Sequence, residues 1–260
     1  MLRAAQAIMP AIPRGCGDRR AAQSVYRRML GDGRGGAALA TVGTASLELS
    51  LDDWPQAQAY LLRRYDPSTV EFICRHLPAD GVFVDGGAHV GLISMQVAAN
   101  VPGVSIHAFE PHPEKFPSLQ RNAARNGARM TANNFGLSDS ATALAYDADR
   151  HTIDAGADSS IEVVALDSYA AHQALTRIDV LKLDIEGHEL AALHGAGKLL
   201  AERRIGAVTM ESLHGDTNEP MRLLESLGYR RVTMPDTRPR WLASRRPMPV
   251  ENVGYVAPLV

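Results

Sequence analysis

Residues Gly81–Ser94 read GVFVDGGAHVGLIS. A short apolar run ends in an acidic residue, a cluster of glycines follows, and a second apolar run begins. This is how a strand, a tight ligand-binding turn and a helix look when written as residues. In an open parallel sheet, ligands settle at the carboxyl ends of strands, near the point where strand order reverses. Gly86, Gly87 and Gly91 let backbone approach a ligand closely. The spacing over Asp85–Gly91 is D-x-G-A-x-x-G, not the G-x-G-x-x-G of a dinucleotide site, and His89 stands where a small residue is favoured. Asp85, just ahead of the glycines, is a second departure. A carboxylate there sits badly against a pyrophosphate and well against an amine or ammonium. The loop therefore reads as a site for S-adenosylmethionine, whose methionyl portion is cationic. Its expected contacts are Asp85, Gly86, Gly87, Ala88, His89 and Gly91. A glycine turn that opens a helix for structural reasons alone is the competing reading.

Strands and helices alternate downstream of this stretch. VSIHAFE (104–110) reads as a strand, PEKFPSLQRNAARNG (113–127) as a helix, and MTANNFGLSD (130–139) as a strand running into a turn. DVLKLDIE (179–186) is a strand, GHELAALHGAGKLLAER (187–203) a helix and IGAVTMES (205–212) a strand. EPMRLLESLG (219–228) and YRRVTM (229–234) add a helix and a strand. Alternation of this kind predicts a mainly parallel sheet covered on both faces. ENVGYVAPLV (251–260) is expected to be a last strand, antiparallel at an edge. The polar, Gly/Asp-rich stretch Ala141–Ser160 is expected to form a mobile loop over the site.

Upstream, Val70, Ile73, Cys74 and Leu77 recur at helical spacing after an Asp66-Pro67 start signal, and the helical pattern extends from about Asp53 to Leu77. Residues 37–51 hold a short strand or two, and 1–36 carry one helical patch near AAQSVYRRML.

The bulk numbers exclude several classes. The 260 residues are 45% hydrophobic and 22% charged, which fits a folded α/β protein rather than a disordered one. A net charge of −2 gives no global pull toward nucleic acid or anionic membrane. Cys16 and Cys74 form no CxxC or Cys/His cluster, so neither a disulfide framework nor a structural zinc site is expected. No run of about 18 apolar residues marks a membrane helix. The start is Arg-rich, but Pro10 and Pro13 break its apolar core, so no signal peptide is expected and the cytoplasm is the default compartment.

Glu110 lies at the end of the second strand, about 20 residues beyond the glycine turn, where an acid accepts hydrogen bonds from ribose hydroxyls. A carboxylate favoured by the dipole of the next helix is the alternative. Pro111 and Pro113 turn the chain into that helix, and Pro111 is carried with Glu110 as a cofactor contact. In LKLDIEGHE (181–189), strand alternation puts Lys182, Asp184 and Glu186 on one side of a central strand. Three such charges are costly to bury without partners or function. General base, metal ligand and substrate clamp are the candidate roles. In the structural reading, Lys182 neutralises the carboxylates and Glu186 caps the next helix. Glu211 and His214, in MESLHGD (210–216), are expected at the same rim, His214 as a proton acceptor near neutral pH.

The order of these motifs resembles the FkbM family of S-adenosylmethionine-dependent methyltransferases. The matching stretches run from Tyr65 to Gly195: YDPSTVEFICRHLPADGVFVDGGAHVGLIS, AFEPHPEKFPSLQRN, NNFGLSD, VVALDSY and DVLKLDIEGHELAALHGA, with VTMESLHG following. FEPxP combined with KxDxEGxE is far more specific than a glycine turn. The resemblance implies a class I methyltransferase fold, a Rossmann-like doubly wound sheet of seven strands with a reversed final hairpin. It also implies O-methylation of natural products or sugars. Asp85, Gly87, Ala88 and Gly91 match the cofactor loop, and Glu110 the ribose acid. Asn134 and the GLSD turn (136–139) fall where adenine contacts are expected, and Asp184 and Glu186 match the acidic active-site signature.

Residues 61–260 thus read as the methyltransferase domain and 1–60 as an extension serving as lid or dimer contact, with packing on its own sheet as the alternative. The expected activity is methyl transfer to a small-molecule hydroxyl, with Asp184, Glu186, Glu211 or His214 as base and a divalent cation as a variant. The expected partner is the small-molecule acceptor, with no nucleic acid or membrane, and with a homodimer open. Two other classes compete. A noncatalytic module on the same fold would not need Asp85, Glu110 and the glycines together. An NAD-linked oxidoreductase lacks support from Asp85 and has no Tyr-x-x-x-Lys pair.

Overall fold

The computed structural model describes residues 2–12, 14, 18–30, 35–148, 150, 152–211, 219–237 and 252–258. The chain opens with helices α1 (Leu2–Ile8) and α2 (Asp18–Met29), then a hairpin of β1 (Ala37–Val42) and β2 (Ala45–Ser50). Helix α3 (Trp54–Leu62) starts at the N-cap Asp53, and α4 (Pro67–His76) at the N-cap Asp66. In each, the carboxylate accepts a backbone N–H three residues on, and Pro lies in the first helical turn. The helical pattern over 53–77 is therefore two helices, not one.

The alternating region follows as β3 (Val82–Gly86), α5 (Leu92–Asn100), β4 (Ser105–Phe109), α6 (Lys115–Arg125) and β5 (Met130–Asn133). Next come β6 (Gly136–Ser138), β7 (Thr142–Asp147), β8 (Thr152–Ile153), β9 (Ser159–Ala165) and α7 (Leu166–His172). The last part holds β10 (Ile178–Leu183), α8 (Glu189–Gly195), α9 (Gly197–Ala201), β11 (Ile205–Glu211), α10 (Glu219–Ser226), β12 (Arg230–Val232) and β13 (Asn252–Val256).

Seven strands make the main sheet in the order β12-β13-β11-β10-β3-β4-β5. Pairings from β5 to β11 are parallel, and β13 is antiparallel to both its neighbours. This is the class I methyltransferase fold that the resemblance implies. Strand order reverses between β3 and β10, so the carboxyl ends of these two strands frame the ligand crevice. The terminal strand is antiparallel as expected, but it lies one position in from the edge. Val253 and Tyr255 are buried on one face of β13 and Gly254 packs against Phe72 on the other, which suits an interior strand, whereas Arg230 and Arg231 of β12 are exposed and suit the edge.

Three local expectations change. First, the stretch 141–160 is not a loop. β6, β9, β7 and β8 form a second sheet, with Thr142–Tyr146 antiparallel to Ser159–Val163. Its apolar residues recur at period two, Leu144 and Tyr146 facing Ile161 and Val163, and polar neighbours hide that signal in the sequence. Second, GLSD, expected as a turn, supplies Gly136–Ser138 as β6 of this second sheet. Third, the helix over 187–203 breaks at Ala196. The Asp167 carboxylate accepts the N–H groups of Lys198 and Leu199 (2.8 and 2.9 Å) and so caps a new helix there.

The N-terminal elements pack on the α5/α6 face. Leu47, Leu49, Ala57 and Leu61 are fully buried in one cluster with Val90, Leu92 and Met95. The free edge of β2 is completed by side chains of α6, Asn122 Oδ1 accepting Glu48 N (2.8 Å) and Asn126 Oδ1 accepting Ser46 N (2.9 Å). Among the described residues, no helix is long and apolar enough to cross a membrane.

Candidate active site

A cavity of about 240 Å³ opens at the carboxyl ends of β3 and β10. Gly87, Ala88 and His89 form one wall, and Lys182, Asp184 and Glu186 another. Tyr146, Ile161 and Val163 of the second sheet cover it, so the segment expected to lie over the site does so as a sheet.

The glycine turn explains its own sequence. Gly87 has φ +73, and a Cβ on it would fall 1.9 Å from the Asp184 carbonyl oxygen, so only glycine fits. The N–H groups of Gly87 and Ala88 both donate to Phe109 O (3.0 Å each), locking the turn to the end of β4. His89 also has a left-handed backbone, φ +53, and its N–H donates to Glu110 Oε2 at 2.7 Å. His112 N donates to Glu110 Oε1 at 2.8 Å. Burial pushes the Glu110 carboxyl up, and these two donors pull the other way. A carboxylate held this way still has acceptor capacity on both oxygens, and Glu110 lines the cavity beside Pro111. The close-approach turn and the buried acid together fit S-adenosylmethionine, a ligand with a ribose.

Asp85 does not line the cavity. It is fully buried, and its carboxylate is taken by Lys182 Nζ (2.8 Å) and by the Ser94 hydroxyl, which donates at 2.6 Å. The ammonium expected beside Asp85 is therefore the chain's own. Lys182 also donates to the carbonyls of Gly86 and Gly87 (3.2 Å each) and lies 3.6 Å from Asp184 Oδ2. Burial works against its charge, but Asp85 and Asp184 outweigh that and push Lys182 up to about 12.

Asn134 is exposed and outside the cavity. Its amide donates to the carbonyls of Glu110 and Pro111 (3.0 and 3.2 Å), so it braces the turn. From the GLSD stretch, Gly136 and Leu137 reach the cavity.

The strand alternation expected for Lys182, Asp184 and Glu186 stops early. β10 ends at Leu183, and Glu186 sits in a turn with φ +53. What brings the acids together is the pairing of β10 with β11, Leu183 against Met210, which sets Asp184 next to Glu211. One carboxylate oxygen each from Asp184, Glu186 and Glu211 lies within 4.8 Å of the other two, an arrangement that can share a proton or hold a divalent cation. Burial, followed by the charges of Asp184, Glu186 and Glu189, raises Glu211 to about 7, against a smaller opposing effect of Lys182. Burial also raises Glu186. The helix cap expected of Glu186 is not made: α8 starts without a side-chain cap, and Glu189 Oε1 instead accepts Ile185 N (3.1 Å) and Gly187 N (3.4 Å), bracing the turn that holds Glu186. His214 lies outside the described residues.

Among the lining residues that escaped the sequence reading, three outside the second sheet carry ionisable side chains. Tyr65 opens the YDP stretch, and His188 lies 2.8 Å through Nε2 from Ser138 Oγ. The third is Asp53, whose only local signal was its place as an N-cap before Trp54-Pro55.

Residues 85–231 match the model of the methyltransferase FkbM domain. Hexuronic acid methyltransferase AglP of Haloferax volcanii is 23% identical over 138 residues, which are 51% of this chain and 56% of that protein. Methyltransferase sdnD of Sordaria araneosa is 31% identical over 160 residues, 46% of this chain and 62% of that protein. The 31-O-demethyl-FK506 methyltransferase FkbM of Streptomyces tacrolimicus is 39% identical over 64 residues, 25% of this chain and 24% of that protein. The chain thus spans less than two thirds of each of these relatives.

Proposed function

This chain belongs to the FkbM methyltransferase family, and from that premise we propose that it transfers the methyl group of S-adenosylmethionine to a hydroxyl of a small molecule, a natural product or a sugar. The observation that carries the proposal is the Asp184, Glu186 and Glu211 cluster at the carboxyl ends of β10 and β11, with Asp184 against Gly87 of the cofactor loop. S-adenosylmethionine supplies an electrophilic methyl on a sulfonium, which leaves the enzyme the tasks of alignment and proton removal. Glu110 accepts from the ribose hydroxyls, and Pro111, Gly136 and Leu137 face the adenine. The acidic cluster takes the acceptor hydroxyl's proton as a coupled unit, Glu211 being the member tuned near neutral pH. The names of two relatives, a hexuronic acid methyltransferase and a 31-O-demethyl-FK506 methyltransferase, support a sugar or natural-product acceptor.

The separation of the three carboxylates also favours a second reading. In it, Asp184, Glu186 and Glu211 hold a divalent cation that would lower the acceptor hydroxyl's pKa.

Isothermal titration with S-adenosylmethionine tests the core of the proposal, with a micromolar affinity expected. Lack of binding would dismiss it. A panel of hydroxylated acceptors with labelled methyl donor then identifies the acceptor class.

A further inference from the structure

Asp53 precedes the segment that matches the family model, which starts at residue 85. It also precedes every motif that carries the resemblance. Its carboxylate nevertheless reaches the cofactor loop. Asp53 Oδ2 is 3.3 Å from His89 Nε2 and 2.6 Å from Lys115 Nζ, the first residue of α6. Asp53 Oδ1 accepts Gln56 N at 3.1 Å, capping α3. Both Asp53 and His89 line the cavity. His89 is in turn the residue whose backbone N–H holds the ribose-facing Glu110.

We propose that Asp53 is a positioning residue for cofactor binding, holding the His89 ring in place at the cavity, so that the segment ahead of the family domain is a fixed wall of the cofactor pocket. The proposal rests on the reading of this cavity as the S-adenosylmethionine site.

Two further features support it. The segment is anchored on both sides of Asp53 by fully buried residues, Leu47 and Leu49 before it and Ala57 and Leu61 after it, which share a cluster with Leu92 and Met95 of α5. Lifting the segment as a flap would expose that apolar contact to water, a strongly unfavourable change. The His89 backbone is also left-handed, a conformation uncommon outside glycine. From that backbone position the His89 ring meets the Asp53 carboxylate, which comes from an element outside the loop.

The test separates positioning from helix capping. Asn caps helices about as well as Asp, so Asp53→Asn keeps the start of α3 while removing the charge that holds His89. His89→Asn keeps a residue type that tolerates left-handed backbone. Titration calorimetry with S-adenosylmethionine is run on the full chain, on both single variants and on the double variant. Asp53→Asn is expected to weaken binding about tenfold, the scale of one lost hydrogen bond to a charged group. The double variant is expected to bind no more weakly than His89→Asn alone, because both changes act through one contact. Lys115→Met, which leaves the Asp53–His89 contact in place, is expected to stay within about twofold of the parent. Affinity of Asp53→Asn within about twofold of the parent, or losses that add in the double variant, would overturn the proposal. If Asp53→Asn does not fold, the cycle is run with Asp53→Ser, another capping residue. Failure of the unmodified chain to bind removes the cofactor reading itself, which distinguishes the two failures.

Discussion

Lys182 Nζ lies 2.8 Å from Asp85 Oδ1 across the parallel pairing of β10 with β3, with both side chains at 5% exposure or less. The two are register partners in a row that crosses the sheet as Ala108, Asp85, Lys182, Thr209 and Gly254. Small side chains on both flanks leave room for one ion pair, and that pair fastens the glycine turn through the carbonyls of Gly86 and Gly87. Glycine turn and acidic cluster are thus tied to one buried ammonium.

Removing one partner of such a pair strands the other charge in the interior. Lys182→Met is expected to lower stability by about 3–5 kcal/mol, and the double variant Lys182→Met, Asp85→Asn to recover part of that loss. Denaturant midpoints at unchanged slope measure both. A single variant as stable as the parent would show that the pair holds nothing.

In the proposed mechanism Glu211, raised to about 7 chiefly by burial and then by its acidic neighbours, acts as base only when deprotonated. Turnover is therefore expected to rise with pH up to about 7 and level off above it. Glu211→Gln should remove that limb and reduce kcat by about 10²–10⁴-fold, with cofactor affinity unchanged. A pH–rate profile of the variant that keeps the limb would move the role to another group.

The base and metal readings part on chelation. Turnover is expected to survive removal of divalent ions, because Lys182 at 3.6 Å from Asp184 already offsets part of the cluster's charge. Activity lost with chelator and restored by magnesium or manganese would install the metal reading instead.

Gly87→Ala places a methyl 1.9 Å from the Asp184 carbonyl at a left-handed backbone. The variant is expected to lose cofactor binding and at least about 2 kcal/mol of stability. Calorimetry and thermal melts check both, and retained binding would mean that the turn tolerates displacement.

Much of the fold was legible because its signals are local. A strand, a glycine turn and a helix follow one another within Gly81–Ser94, and apolar periodicity marks most strands and helices of the main sheet that follow. Misreadings arose where a local pattern had two solutions. Residues 141–160 looked like a loop because the polar positions of β7 and β9 outnumber the buried ones. The helix over 187–203 looked continuous because the side chain that divides it, Asp167, is remote in sequence. For the site, Glu110 and the glycine turn were found from spacing. Glu186 reaches the site from a turn rather than from the strand, because the end of β10 at Leu183 is not visible in an alternating pattern.

By itself, the sequence determined the order of elements, the place of the crevice at the carboxyl ends of the strands, and the residue types that surround it. These follow from side-chain period and turn chemistry, which act between neighbours along the chain. The tertiary structure alone decided who partners whom. It gave Asp85 to Lys182, set Glu211 beside Asp184, and brought Asp53 to His89. Each of these pairings depends on strand register or on the packing of distant segments, and charges separated along the chain meet only once the core has settled their positions.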